Sequence, residues 1–265
     1  MPPNAALHGI AVDHLMRWNL IALLACFAAA HAWLIVAILR RRTSVSKNVI
    51  SSEAEASQRI PAAPQSPAPE LRTRTAGWLL LAALCAMYAW MAVTAQHLWA
   101  ASRFEGASPE AMQVEVTGQQ FQWYFRYPGA DAKFGVTRPS LVNAAAGNPV
   151  GLDAQDANGS DDLISSILTL PVGREVDLRL RSLDVIHGFF VPAMRLKQNA
   201  VPGLVLHIHF TPTVIGTYPI LCSQVCGLGH QRMQAQMRVV SAHDYQDWMQ
   251  AEVRRHAREQ QEPAQ

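Results

Sequence analysis

Cys222, Cys226, His230 and Met233 fall within one twelve-residue run, Cys222-Ser-Gln-Val-Cys226-Gly-Leu-Gly-His230-Gln-Arg-Met233. Two thiols, an imidazole and a thioether form a soft donor set that selects copper or zinc over hard cations. A structural zinc site takes four strong ligands and has no use for methionine. A mononuclear blue-copper site takes one Cys, two His and a weak axial Met, which leaves one thiol over. Two thiolates at this spacing could instead bridge two copper ions. About 35 residues upstream, Asp184-Val-Ile-His187-Gly-Phe-Phe-Val-Pro192 supplies a second histidine beside an apolar, strand-like stretch. The backbone carbonyl of Gln224, between the thiols, is a further weak donor. A disulfide between Cys222 and Cys226 would leave His187, His230 and Met233 without a role.

Something rigid must hold these donors, and from residue 111 the sequence is β-rich. Met112–Thr117, Arg174–Arg181 and Leu204–Phe210 alternate apolar and polar residues, and Gly/Pro punctuation separates them at Pro128-Gly129, Pro171-Val-Gly173, Pro202-Gly203 and Gly216. Eight to ten short strands at this spacing predict a sandwich or Greek-key barrel over 111–241. Residues 143–162 lack periodicity and read as a loop. Residues 242–258 read as a helix with Ser241 as N-cap and Asp244 in the capping-box position, within a C-terminal helix and tail of 242–265. His207 and His209 alternate with Leu206, Ile208 and Phe210, so they share one strand face and read as surface or interface residues.

Half of the 265 residues are hydrophobic, and their placement is uneven enough to define two further elements. The runs 18–39 and 76–98 are almost wholly apolar, and each would make a helix about 33 Å long, sufficient to cross a bilayer core. The first is too long for a removed signal peptide and stops at Arg40-Arg41-Arg42. With Lys47, Arg59, Arg72 and Arg74, that cluster gives the connecting segment a positive bias that places it in the cytoplasm and both termini outside. Trp18, Trp78 and Trp99 stand near the helix ends, as interfacial tryptophans do. The reading is a first segment and helix over 1–42, a flexible Ser/Ala/Pro-rich linker over 43–75, and a second helix over 76–100. Cys26 and Cys85 read as small apolar packing residues, and His97 as interfacial. His31 reads as a neutral imidazole hydrogen-bonded at a helix contact. The formal net charge of +2 gives no nucleic-acid signal, and no Cys-x-x-Cys-His motif is present to attach a c-type haem.

The loop C-x-x-x-C-x-x-x-H-x-x-M preceded by D-V-x-H resembles subunit II of the haem-copper cytochrome oxidases, in a divergent bacterial form. The resemblance extends to the two N-terminal helices and to an aromatic segment beginning at Gly118. It implies a two-helix transmembrane hairpin plus an all-β cupredoxin-like Greek-key barrel. It implies a dinuclear copper centre, CuA, bridged by Cys222 and Cys226 and capped by His187 and His230. Met233 and the Gln224 carbonyl are then weak axial donors, and Phe189, Phe190, Val191 and Pro192 form an apolar shell. The family's electron-accepting tryptophan falls on Phe121, while Trp123 keeps the second aromatic; Trp123 and Phe125 could equally be core residues. Asp184 matches an acidic position that meets cytochrome c. The neighbouring family acid is Leu183 here, and Asp153, Asp156, Asp161 and Asp162 offer a substitute patch or simply solvated loop residues.

Two departures concern magnesium. The family's Glu between the thiols is Gln224, and the acid of K-x-D-A-x-P-G is Asn199. Hard Mg²⁺ favours carboxylates and water, so Mg²⁺ is expected to be absent at Gln224. The implied function is that of an oxidase subunit in a bacterial inner membrane, with the copper domain on the periplasmic side. It would accept electrons from cytochrome c or another c-type cytochrome domain. It would pass them to a subunit I with haems and CuB, among other oxidase subunits and membrane lipid, for proton-coupled reduction of O₂. The chain itself would carry no haem. A quinol oxidase would lack the copper ligands; a nitric oxide reductase with a CuA subunit, or a copper-binding carrier, are the alternatives.

Overall fold

A computed structural model describes residues 2–55, 68–103, 105–153 and 155–261. Two long helices come first, α1 (Gly9–Glu55) and α2 (Ala68–Arg103). Gly9–Leu39 and Gly77–Ala101 are long and apolar enough to cross a membrane. Their large side chains, among them Leu23, Phe27, Trp33, Trp78 and Leu79, are exposed. A continuous surface of this kind suits lipid rather than water. Both helices outrun the apolar segments read from the sequence. Residues 43–55 hold no Gly or Pro to stop α1. The core of the expected linker, 56–67, lies outside the described residues, and the flanking residues on either side are helical. His31 finds its partner on its own helix: Nδ1–H donates to the Phe27 carbonyl at 2.8 Å, and the two rings stand 4.0 Å apart.

The β domain is two five-stranded sheets. The first contains β1 (Met112–Gln119), β2 (Gln122–Tyr127), β3 (Leu163–Ser165), β5 (Val176–Ser182) and β8 (Leu206–Phe210), in the order β3-β2-β1-β5-β8. The second contains β4 (Ile167–Pro171), β6 (His187–Val191), β7 (Leu196–Ala200), β9 (Gly216–Cys222) and β10 (Gln234–Val240), in the order β4-β10-β9-β6-β7. Alternation along the strands turns Val114, Val116, Leu178 and Leu180 of the first sheet and Leu168, Leu170, Phe189, Ile220 and Met237 of the second into one shared core. The expected all-β architecture is thus present. The N-terminal segment adds an edge to it: Ala5 is buried, its amide donates to the Ala193 carbonyl at 2.8 Å, and its carbonyl accepts from Thr213 at 2.9 Å.

Polar residues on the outer face of the first sheet are also buried, because the long loop after β2 folds over them. Arg126 donates to Glu115 Oε1 at 2.7 Å and 3.1 Å, to Asp162 Oδ2 at 2.8 Å and to the Gly135 carbonyl at 2.8 Å. Phe134 stacks on the guanidinium of Arg126 at 4.8 Å. Asp162 is therefore an internal anchor rather than part of a surface acidic patch. Its companions are also engaged. Asp161 accepts from the Ala130 amide, Asp156 from the Val136 amide, and Asp153 from Arg138. Helix α3 (Ala242–Gln261) closes the domain, with Tyr245, Trp248 and Met249 against the core. Ser241 caps it as expected, its hydroxyl accepting from the Asp244 amide at 3.1 Å.

Removing one member of a buried charge cluster strands the others. Arg126→Ala should cost about 3–5 kcal/mol of stability, measured by denaturation of the chain in detergent. Arg138→Ala, whose pair with Asp153 is solvated, should leave the transition almost unmoved.

Candidate metal centre

Strands β10, β9 and β6 are neighbours in the second sheet, and the predicted donors gather at one end of them. His187 opens β6, Cys222 closes β9, and Met233 immediately precedes β10. The Cys222 amide donates to the Met233 carbonyl at 3.2 Å, and the Ser223 amide to the Gly188 carbonyl at 2.8 Å. These bonds fold the loop 223–232 back over the start of β6. Cys226 Sγ lies 3.9 Å from Cys222 Sγ, 3.6 Å from His230 Nδ1 and 3.8 Å from Met233 Sδ. The Gln224 carbonyl oxygen is 3.1 Å from Cys222 Sγ. Ligand atoms of His187, Cys222 and Cys226 all fall within 4.8 Å of one another. The six groups singled out in the sequence are therefore brought together. Both thiols are free, at a separation well beyond a disulfide bond.

His187 is completely buried. Its Nε2–H donates to Asp184 Oδ1 at 2.8 Å, while Nδ1 is buried with no hydrogen-bond partner. A carboxylate only accepts, so this bond places the proton on Nε2 and leaves a lone pair on Nδ1. A buried acceptor without a partner is costly, and a metal ion at Nδ1 would satisfy it. Asp184 faces inward in doing so. Its carboxylate also accepts from the amides of Gln120 and Val185, each at 2.7 Å. Partial burial would raise its pKa, but the Gln120 amide, His187 and the Val185 amide outweigh burial and hold it below the ordinary carboxylate value. Burial, and then the charge of neighbouring Cys222, push the Cys226 thiol up to about 11. Without metal, then, Cys226 stays protonated at neutral pH. A cation that binds there displaces the proton and supplies the missing compensation.

The first sheet contributes the other wall. Trp123 is fully buried, its ring 5.8 Å from His187 and 5.4 Å from Phe189, both edge-on. Phe121 is 37 % exposed, so of the two aromatics it is the one that meets solvent. Phe125 is core.

Sequence reading missed the glycines that make these approaches possible. A Cβ on Gly118 would stand 3.0 Å from both His187 and Trp123. On Gly188 it would stand 2.3 Å from Ser223 Oγ and 2.9 Å from the Gln224 amide nitrogen. On Gly229 it would enter the Phe121 ring. The signal available was Gly beside each predicted donor or aromatic, which marks close backbone approach. His207 stands apart from this cluster as a half-exposed partner of Asp177 at 2.8 Å.

The fold and site define a class: an all-β domain carrying a cluster of sulfur and imidazole donors that could hold a metal, attached to apolar helices of membrane-spanning length. Residues 112–240 match the family model described as cytochrome C oxidase subunit II, periplasmic domain. That match covers the β domain almost end to end, so the domain is similar to the periplasmic domain of that family. The alternative cytochrome c oxidase subunit 2 of Bradyrhizobium diazoefficiens is 39 % identical over 149 residues, covering 56 % of this chain and 53 % of that protein. The cytochrome c oxidase subunit 2 of Thermostichus vulcanus is 34 % identical over 149 residues, covering 54 % and 36 %. The chain thus spans about half, or less, of the length of these relatives. Among solved structures, the periplasmic domain of subunit II of cytochrome oxidase of Bradyrhizobium japonicum aligns with 57 % of this chain and 99 % of its own, at 23 % identity and a TM-score of 0.41.

Partners that orient a ligating histidine are typically worth a 10–100-fold change in metal affinity. Asp184→Ala should therefore weaken copper binding by about 10–100-fold in a competition titration, with the fold retained. Gly188→Ala should push the ligand loop off β6 and lower the copper content of the purified chain.

Proposed function

We propose that this chain is the electron-accepting subunit of a respiratory haem-copper oxidase, with a dinuclear CuA centre at the 222–233 loop. The observation that supports this most strongly is the donor set itself: two free thiols 3.9 Å apart, with His230 and Met233 on Cys226 and an unpartnered buried nitrogen on His187. When bound, a copper pair supplies reversible one-electron chemistry with the charge shared over two ions. The chain's part is to hold the donors still, since small structural change favours fast transfer. Cys222, Cys226, His187 and His230 would be the strong donors that hold the copper pair, and Met233 and the Gln224 carbonyl would be the weak ones. Two sheets locked by their ladders fix the ends of β6, β9 and β10. The buried faces of Trp123, Phe189 and Val191 exclude water around His187.

Phe121 is the natural contact for a donor haem edge, because it alone of the two aromatics reaches solvent and its ring rests on the ligand loop. Trp123 then lines the interior side of His187. The donor would be a c-type cytochrome, and the acceptor a haem of subunit I. Asp184, engaged with His187 and Gln120, contributes orientation before it contributes docking charge. Gln224 and Asn199 present neutral amides where carboxylates would hold Mg²⁺, so the copper site is expected without the magnesium. The arginine-rich segment after the first span supports a periplasmic copper domain with both termini outside, in a bacterial inner membrane.

In the purified complex, reduced cytochrome c should be oxidised with consumption of O₂, and Cys226→Ser should abolish that transfer. Turnover with NO and none with O₂ would instead support a nitric oxide reductase. Copper binding with neither activity would support a carrier. Stoichiometric Mg²⁺ or Mn²⁺ lost on Gln224→Ala would sink the magnesium claim.

A further inference from the structure

Gln120 occupies the turn between β1 and β2, and it bonds to both halves of the site. Its backbone amide donates to Asp184 Oδ2 at 2.7 Å. Its side-chain Nε2 donates to the Cys226 carbonyl at 2.6 Å. The other oxygen of Asp184 holds His187 at 2.8 Å. One residue of the first sheet thus touches the peptide of a thiol donor and, through a single carboxylate, the ring of an imidazole donor.

The next residue is Phe121, and the glycines of the loop keep both side chains close. A Cβ on Gly227 would lie 2.8 Å from Gln120 Nε2 and 3.2 Å from the Phe121 ring. On Gly229 it would lie 2.4 Å from that ring. The loop backbone therefore lies directly against the Gln120-Phe121 pair, with no side chain between them. Phe121 packs by apolar contact alone, which sets distance but little direction. The Gln120–Cys226 bond is directional, and it joins the aromatic to the loop within one residue on each side.

We infer that Gln120 is a positioning residue. It fixes the Cys226 segment beneath Phe121 and, through Asp184, fixes His187 facing that segment. This rests on the proposed electron-accepting function and adds to it the group that holds surface aromatic and donor loop in one geometry. Such constellations work when held to within about 0.5 Å, and electron transfer slows as the aromatic and the donor loop move apart. Leucine at position 120 would leave the Cys226 carbonyl without its donor. The backbone amide bond to Asp184 would remain, so the loop side of the clamp should fail first.

The test uses the full chain in detergent with Gln120→Leu and the isosteric Gln120→Glu, which keeps size but places an acceptor against the carbonyl. In the metal-free protein, the rate of Cys226 alkylation, followed by mass spectrometry, should rise several-fold in both variants, with Cys222 changed less. In the copper-loaded complex, electron input from a reduced c-type cytochrome should fall several-fold while two coppers per chain are retained. If Gln120→Leu does not fold, Gln120→Glu decides. Wild-type alkylation together with wild-type electron input in a folded variant overturns the inference. If the wild-type chain binds no copper pair, the electron-accepting function fails instead, and the Cys226 alkylation difference still reports on the clamp.

Discussion

The site depends on one constraint: three adjacent antiparallel strands end at the same level, and a loop must fold back over them without a side chain in its path. The ladder of β10, β9 and β6 sets Cys222 opposite Phe189 and Leu221 opposite Gln234. His187 and Met233 then arrive beside Cys222 with no freedom of their own. The Ser223–Gly188 hydrogen bond turns the chain back, and the missing Cβ of Gly188 gives it room. Once the turn is made, Cys226 and His230 follow from the short length of the loop. A one-residue slip in β6 would turn His187 out of the core, so the burial of Phe189 and Val191 also fixes the donor.

The electrostatics follow from burial. His187 is buried with its Nε2 committed to Asp184, which leaves Nδ1 unpartnered. Cys226 is buried as a thiol whose ionisation is opposed by desolvation and by Cys222. Each is an unfavourable arrangement for the metal-free chain and a favourable one for a bound cation, so metal binding and the stability of this end of the barrel are linked. The same logic separates this site from the cluster around Arg126. There Glu115 and Asp162 already have their counter-charge, and the cluster serves to seat the loop over the first sheet.

Much of this was legible in the sequence, for identifiable reasons. Donor type and spacing at Cys222, Cys226, His230 and Met233 are local, so the loop could be read directly. His187 required a non-local partner, and the strand pattern around it made that pairing plausible before the ladder showed it. Alternation at Met112–Thr117 and Arg174–Arg181 revealed strands, although their parallel pairing was not encoded locally. Asp162 and its neighbours read as solvated because their partners, Arg126 and amides 130 to 136, are remote or depend on the loop's path. Gln120 and Gly188 escaped notice because their importance is a matter of contact across sheets. The helix lengths were under-read because apolar runs mark where lipid begins and ends, whereas a helix can run on past that boundary through polar residues of adequate helix propensity.

The central claim is that Cys222 and Cys226 share two copper ions rather than pairing with each other or holding one metal. Electron paramagnetic resonance of the copper-loaded chain, with metal content measured on the same sample, tests it most directly. Two coppers per chain and one mixed-valence signal with hyperfine coupling to both nuclei is the predicted result. A single copper with a mononuclear signal, or a signal unchanged in Cys226→Ser, would contradict it.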